Sequence, residues 1–201
     1  MIKVVLLDFG GVISEEGFKE GLFAIARKHS LNEEEFYLEA KELIFKIAYV
    51  EGKVTEEDYF TELKNIFKIQ DDTETLKNEI LSRFELRDEV IEWVIKLRAN
   101  GFKTGILSDQ TNWLCELNEK EPFFVFFDYI FNSYSLGKTK RDPSLFGDIV
   151  MQLGVKAEEL LFVDDDPDNI KRAKSFGIHT ILYSDYEDFN KKMRFFSEIG
   201  D

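Results

Sequence analysis

Short apolar runs that stop abruptly at polar residues recur along the chain, at 2–7, 102–107, 129–131, 160–163 and 179–183. Each has the length and unbroken hydrophobicity of a strand buried on both faces, as in a parallel sheet. Between them, apolar residues return at helical spacing and the ends carry stop signals. Val90, Val94 and Leu97 share one face, with Asp88 as the expected cap and Asn100-Gly101 as the stop. Phe146, Ile149, Val150 and Leu153 follow Asp142-Pro143 and end at Gly154, and another helix opens at Asp166-Pro167 and closes at Gly177. Strands alternating with helices predict an α/β fold built on a parallel sheet.

Residues 15–83 break this alternation. The stretch is rich in Glu, Lys, Leu and Phe, contains no proline and reads as about four consecutive helices, punctuated by Gly52 and the expected cap Thr55. The division that follows is a core made of 1–14 and 84–201 with an inserted helical unit, 15–83, packed over the sheet's edge as a lid. The competing reading is a helical bundle that only completes the core.

Composition narrows the function. With 201 residues and 44% hydrophobic content the chain can bury a good core. A formal net charge of −14 repels phosphate backbones, and no basic patch offsets it, which argues against nucleic acid as a partner. No apolar stretch approaches the length of a membrane span or the core of a signal peptide, so a soluble, cytoplasmic protein without a membrane partner is expected. Cys115 is the single cysteine and reads as a small buried thiol. His29 and His179 are the only histidines, which leaves little material for a histidine metal site or a Ser-His-Asp triad.

In an open parallel sheet, ligands bind beyond the carboxyl ends of the strands. The residues just past the expected strand ends are Asp8, Ser108-Asp109, the 133–140 segment and Asp164-Asp165-Asp166. Each alone reads as a cap, a turn or a solvated charge, but together they bring carboxylates, a hydroxyl and a lysine to one rim. That set suits phosphoryl transfer through an acylphosphate, with Asp8 as nucleophile. Magnesium, which prefers hard oxygen donors, would be held by Asp8, Asp165 and the Gly10 carbonyl, with Asp164 holding a metal-bound water. Ser108 and amides at the following helix start would bind phosphate, with Lys140 as a positive point charge and Lys138 as the second candidate lysine. Gly11 and Asp109 complete the expected substrate-binding set. Three carboxylates, a divalent ion and one lysine are then neutral as a group, and a phosphate could enter.

At this point the chain resembles the haloacid dehalogenase (HAD) superfamily. Its four motifs occur in the usual order: "LLDFGGV" for the nucleophile loop, "GILSDQT" for the hydroxyl, "SLGKTKRDP" for the lysine and "LFVDDDPDNI" for the acidic pair. The resemblance spans the whole chain, and the helical insertion after Val12 looks like the type 1 cap position. It implies a Rossmann-like core with a helical cap, an aspartyl nucleophile and Mg2+. Response-regulator receivers use similar groups, but their acidic pair follows the first strand, whereas here it comes last.

The departures bear on chemistry. Most phosphatases of the superfamily carry a second Asp two residues after the nucleophile as general acid and base, where this chain has Gly10. General acid–base catalysis is worth about 10²–10⁴-fold, so ordinary alkyl phosphates are expected to be poor substrates. An Asp-x-Gly loop also occurs in a bacterial branch that resembles this chain and includes α-D-glucose-1-phosphate phosphatases, and an anomeric oxygen is a better leaving group than an ordinary alkoxide. Where relatives usually have Ser-Asn and Lys-Pro, this chain has Ser108-Asp109 and Lys140-Arg141. The expectation is a magnesium-dependent phosphatase of a small phosphorylated metabolite. The alternatives are a non-catalytic phosphate-binding or regulatory protein, motivated by Gly10 and Asp109, and a metal-free 2-haloacid dehalogenase, disfavoured by Asp164-Asp165. For cap contacts with substrate, Glu16, Arg27, Tyr37, Lys46, Tyr49 and Tyr59 are the candidates.

Overall fold

The computed structural model describes residues 1–198. Strands β1 (Val4–Leu7), β2 (Lys103–Ser108), β3 (Tyr129–Asn132), β4 (Leu160–Asp164) and β5 (His179–Leu182) form one parallel sheet in the order β3-β2-β1-β4-β5. All five expected strands are present, within a residue or two at each end. The unbroken apolar runs of β1, β2 and β4 have a simple cause, whereas β5, expected to be buried, lies at the sheet's edge with only Ile181 buried. Val5, Leu7, Ile106, Leu161 and Val163 feed the hydrophobic cluster on one face, while Val4, Leu6, Leu107, Leu160 and Phe162 feed the cluster on the other.

The first face is covered by α5 (Asp88–Ala99), α6 (Trp113–Lys120) and α10 (Tyr186–Glu198), and the second by α8 (Ser144–Leu153) and α9 (Pro167–Ser175). The stop signals act as expected, because Gly101, Gly154 and Gly177 all have positive φ. Two helix starts differ from expectation. Arg87, not Asp88, occupies the cap position of α5, and Asp88 lies in its first turn, where a carboxylate still meets the positive end of the helix dipole. Asp142 accepts a hydrogen bond from the Ser144 amide at 2.9 Å, so the helix it introduces begins at Ser144.

Between β1 and α5 lie α1 (Gly17–Lys28), α2 (Glu33–Lys46), α3 (Glu56–Phe67) and α4 (Thr73–Leu81), the four helices expected there. Thr55 caps α3 in a reciprocal box with Asp58. These helices bury their own cluster, including Leu22, Phe36, Tyr59, Phe60 and Ile80, and Trp113 from α6 inserts into it. Further links tie the unit to the sheet side. Ser133, at the start of the short helix α7 (Ser133–Leu136), donates to the Val50 carbonyl at 2.7 Å, Tyr49 donates to Asn112 at 2.6 Å, and Arg141 pairs with Glu42 at 2.8 Å. Cys115 departs from expectation and is exposed, because α6 buries Trp113, Leu114 and Leu117 and turns residue 115 to the opposite face.

Candidate active site

The sheet's winding reverses at β1, which lies between β2 and β4. Leu7 is in register with both Ile106 and Val163, so the chain leaves β1 and β4 side by side. This reversal point is where an open α/β sheet leaves a crevice. Asp8 follows directly, and its amide donates to the Val163 carbonyl at 2.9 Å.

Lys140, only 1% exposed, reaches in from the segment after α7 and bridges the two ends. Its Nζ is 2.9 Å from Asp8 Oδ2 and 2.7 Å from Asp164 Oδ2. Burial opposes the ammonium charge, but the carboxylates of Asp164, Asp8 and Asp109 outweigh it and hold the lysine charged. Lys138 takes no part, since it faces Ser144 and Asp148 at the surface. Asp164 is filled on its other side by the Asp166 amide at 2.7 Å and Asn169 Nδ2 at 3.2 Å. Burial pushes its carboxyl up to about 6, with Lys140 opposing and Asp8 adding to the rise. Asp8 and Asp165 are likewise raised by burial and by neighbouring carboxylates.

Carboxylate oxygens of Asp8, Asp164 and Asp165 all lie within 4.8 Å of one another. One lysine does not balance three acids. A compact set of hard oxygens with surplus negative charge is the donor chemistry that magnesium takes.

The loop after β1 is shaped to admit Asp165. Gly11 has φ of 81°, and a β-carbon there would lie 2.4 Å from Asp165 Oδ2. Ser108 ends β2 buried beside this loop and lines the same cleft as Asp8 and Lys140. Asp109 lines the same cleft, but its carboxylate is engaged. Its carboxylate accepts from the Lys140 amide at 2.9 and 3.1 Å, so it positions the lysine's segment, while burial raises its pKa.

These groups sit at the floor of a cleft of about 740 Å³ between the carboxyl ends of the central strands and α1–α2. Of the six helical candidates, Glu16 and Tyr37 line it. Tyr49 and Tyr59 are instead buried in the helical cluster, and Arg27 pairs with Glu33 at the surface. Lys46 is not among the lining residues, but Lys19 and Lys41, which lie over the Tyr37 ring, are. Glu16 stands out electrostatically. Burial, then Asp165 and Asp8, push its carboxyl up to about 7 against the pull of Lys41 and Lys140, and no described residue donates a hydrogen bond to it.

Arg87 is a site-shaping residue that the sequence pattern does not reveal. Its guanidinium donates to the Gly11 carbonyl, to the Val12 carbonyl at 3.3 Å and to both oxygens of Glu15, and its amide donates to the Ile13 carbonyl at 2.8 Å. It locks the loop after β1 to the point where the chain returns from the helical insertion. A lone Arg before a helix carries no signal of this.

Comparison with known proteins agrees with this geometry. The chain is 27% identical over 166 residues to the chloroplast flavin mononucleotide hydrolase 1 of Arabidopsis thaliana, covering 81% of this chain and 65% of that protein's length. It is also 27% identical over 203 residues to D-ribitol-5-phosphate phosphatase of Bacteroides thetaiotaomicron, covering 96% and 97% of the two chains. In fold, it matches the crystal structure of a HAD family enzyme from Bacteroides thetaiotaomicron with a TM-score of 0.75 at 22% identity, over 91% of this chain and 94% of the other. That enzyme in complex with magnesium and inorganic phosphate matches with a TM-score of 0.70 at 19% identity, over 92% and 95%. Residues 2–177 match the haloacid dehalogenase-like hydrolase family as a continuous unit that contains all four motif segments, and the chain belongs to that family.

Proposed function

We propose that this protein is a magnesium-dependent phosphomonoesterase that cleaves a small phosphorylated metabolite through an aspartyl-phosphate on Asp8. The observation that carries the reading is Lys140 Nζ held between Asp8 and Asp164 at the floor of an accessible cleft, with Asp165 alongside. Asp8 Oδ2 is the nucleophile, and Lys140 both fixes its orientation and offsets the charge of the arriving phosphate. Ser108 and the Gly11 backbone are the further phosphate contacts. Asp8, Asp165 and the Gly10 carbonyl would hold the magnesium ion, with Asp164 beside it, and the ion would supply charge neutralisation of nucleophile and phosphate. The helical unit 15–83 serves as a cap over core segments 1–14 and 84–201, with its α1–α2 face selecting the substrate. A cytoplasmic setting suits a soluble metabolite, since no helix among the described residues is long and apolar enough to cross a membrane.

Among phosphomonoesters, a sugar 1-phosphate demands least of any proton donor, because its anomeric oxygen leaves most readily. Glucose 1-phosphate is expected to turn over faster than glucose 6-phosphate at matched saturation; a clear preference for the 6-phosphate would count against that choice. The reading as a whole is tested by screening phosphorylated metabolites with and without magnesium. Asp8→Asn should abolish turnover while the fold survives, since an amide cannot form the acylphosphate. Undiminished turnover in Asp8→Asn, or in excess chelator, would overturn it.

A further inference from the structure

The nucleophile loop lacks a side chain at residue 10, yet the space that side chain would enter is not empty. A β-carbon built on Gly10 lies 3.4 Å from Glu16 Oε1 and 3.9 Å from Phe84 Cε1, and one built on Gly11 lies 3.0 Å from the same glutamate oxygen. Both glycines are thus roofed by one carboxyl group. That group belongs to a residue six positions farther on, at the start of the helical insertion.

We propose that Glu16 is the general acid and base of this active site, supplied across space in place of the carboxylate absent at Gly10. The inference rests on the phosphomonoesterase reading above and deepens it. Glu16 lines the same cleft as Asp8, Ser108 and Lys140. Its backbone is held on both sides. Glu15 donates from its amide to the Glu85 carbonyl at 2.9 Å and is gripped by Arg87, while Gly17 packs so tightly that a β-carbon there would meet the Phe84 ring at 2.5 Å. A carboxyl group on so constrained a stretch of chain is preorganised for one place. Of the other carboxyls at the cleft floor, Asp8 and Asp164 are bonded to Lys140 and Asp109 to the Lys140 amide, while Asp165 is committed to the metal site proposed above.

The chemistry balances with this one group. Asp8 Oδ2 forms a bond to phosphorus as the bond to the ester oxygen breaks; the electron pair goes to that oxygen, which takes the proton of the Glu16 carboxyl and leaves as an alcohol. The Glu16 carboxylate then removes a proton from water. The water oxygen bonds to phosphorus, the bond from Asp8 to phosphorus breaks with its pair returning to the carboxylate, and inorganic phosphate departs, leaving Glu16 protonated for the next cycle.

The test is a leaving-group comparison in the full-length protein with magnesium present, using glucose 6-phosphate as the alkyl ester and 4-nitrophenyl phosphate as the aryl ester. In Glu16→Gln, kcat on the alkyl ester should fall by about 10²-fold or more. The first-turnover burst of nitrophenol should persist while later turnovers slow, because an aryl oxygen leaves unaided but the acylphosphate still needs a base. A second variant guards against a merely structural effect. Gly10 is not among the glycines with positive φ, so Gly10→Asp combined with Glu16→Ala should restore alkyl turnover well above that of Glu16→Ala alone. Equal loss on both esters with no burst, or an unchanged alkyl rate in Glu16→Gln, would overturn the role of Glu16, as would failure of the double variant to recover. Because Asp8→Asn, assayed alongside, must lose the burst as well, activity in that variant would instead overturn the phosphatase reading itself.

Discussion

Gly11 and Lys140 show how single residues are committed at this site. A side chain at Gly11 would need a left-handed backbone, costing about 1–3 kcal/mol, and would also displace Asp165 Oδ2. Gly11→Ala should therefore lower the urea midpoint and weaken the response of activity to magnesium together; a stable variant with the wild-type magnesium response would contradict this account. Lys140→Met leaves Asp8 and Asp164 buried without their shared cation, a loss of about 3–5 kcal/mol by the usual cost of orphaning a buried charge. Equilibrium unfolding should record that loss, and adding Asp164→Asn should recover part of it. The placement of Asp8, Ser108, Asp164 and Asp165 on one rim was legible in the sequence because each ends or directly follows an apolar strand and strand ends of a parallel sheet converge, whereas Lys140 arrives from beyond α7. Glu16 as a partner of Gly10 was not legible. Nothing in a linear pattern says that a residue at the mouth of an insertion folds back over two glycines.

Elements were legible where burial leaves an unambiguous periodicity. The central strands β1, β2 and β4 are apolar on both faces, and α8 and α9 end at glycines with positive φ. What the pattern missed are contacts between elements. Trp113 opens α6 beside the sheet, yet its ring is fully buried among the helices of the insertion, against Phe60 and Tyr49, with its indole N–H donated to Glu56. Nothing in the local pattern marks this role, since the partner surface lies some fifty residues upstream. The same inserted ring explains why Cys115 is exposed, because α6 has committed its neighbouring positions to two different clusters. Truncating Trp113 to Ala should cost about 3–5 kcal/mol, and the loss should be felt by the α1–α4 unit first. Hydrogen exchange that accelerates in α3 and α4 before the sheet would bear this out; uniform acceleration across the chain would not.

At the scale of the molecule, the net charge of −14 sits on a surface whose cleft still gathers Lys19, Lys41 and Arg141 around an acidic floor. A divalent cation that binds only the folded site should stabilise it by mass action. Magnesium is accordingly expected to raise the melting temperature of the wild type and to have little effect on Asp165→Asn, a readout independent of turnover. The insertion itself enters and leaves through neighbouring strands of chain, for Ser14 bridges to Leu86 and the Glu15 amide donates to the Glu85 carbonyl at 2.9 Å. Two ends so close make the insertion a cartridge, exchangeable for another of different length without stretching the sheet that holds Asp8. Because Glu16 occupies the cap position of the cartridge's first helix, such an exchange would replace the proposed proton donor along with the wall of the cleft. On the proposed chemistry, a lineage that swaps this segment would inherit a new range of cleavable esters and a new substrate shape in a single event, while Asp8, Lys140 and Asp164 stay where they are.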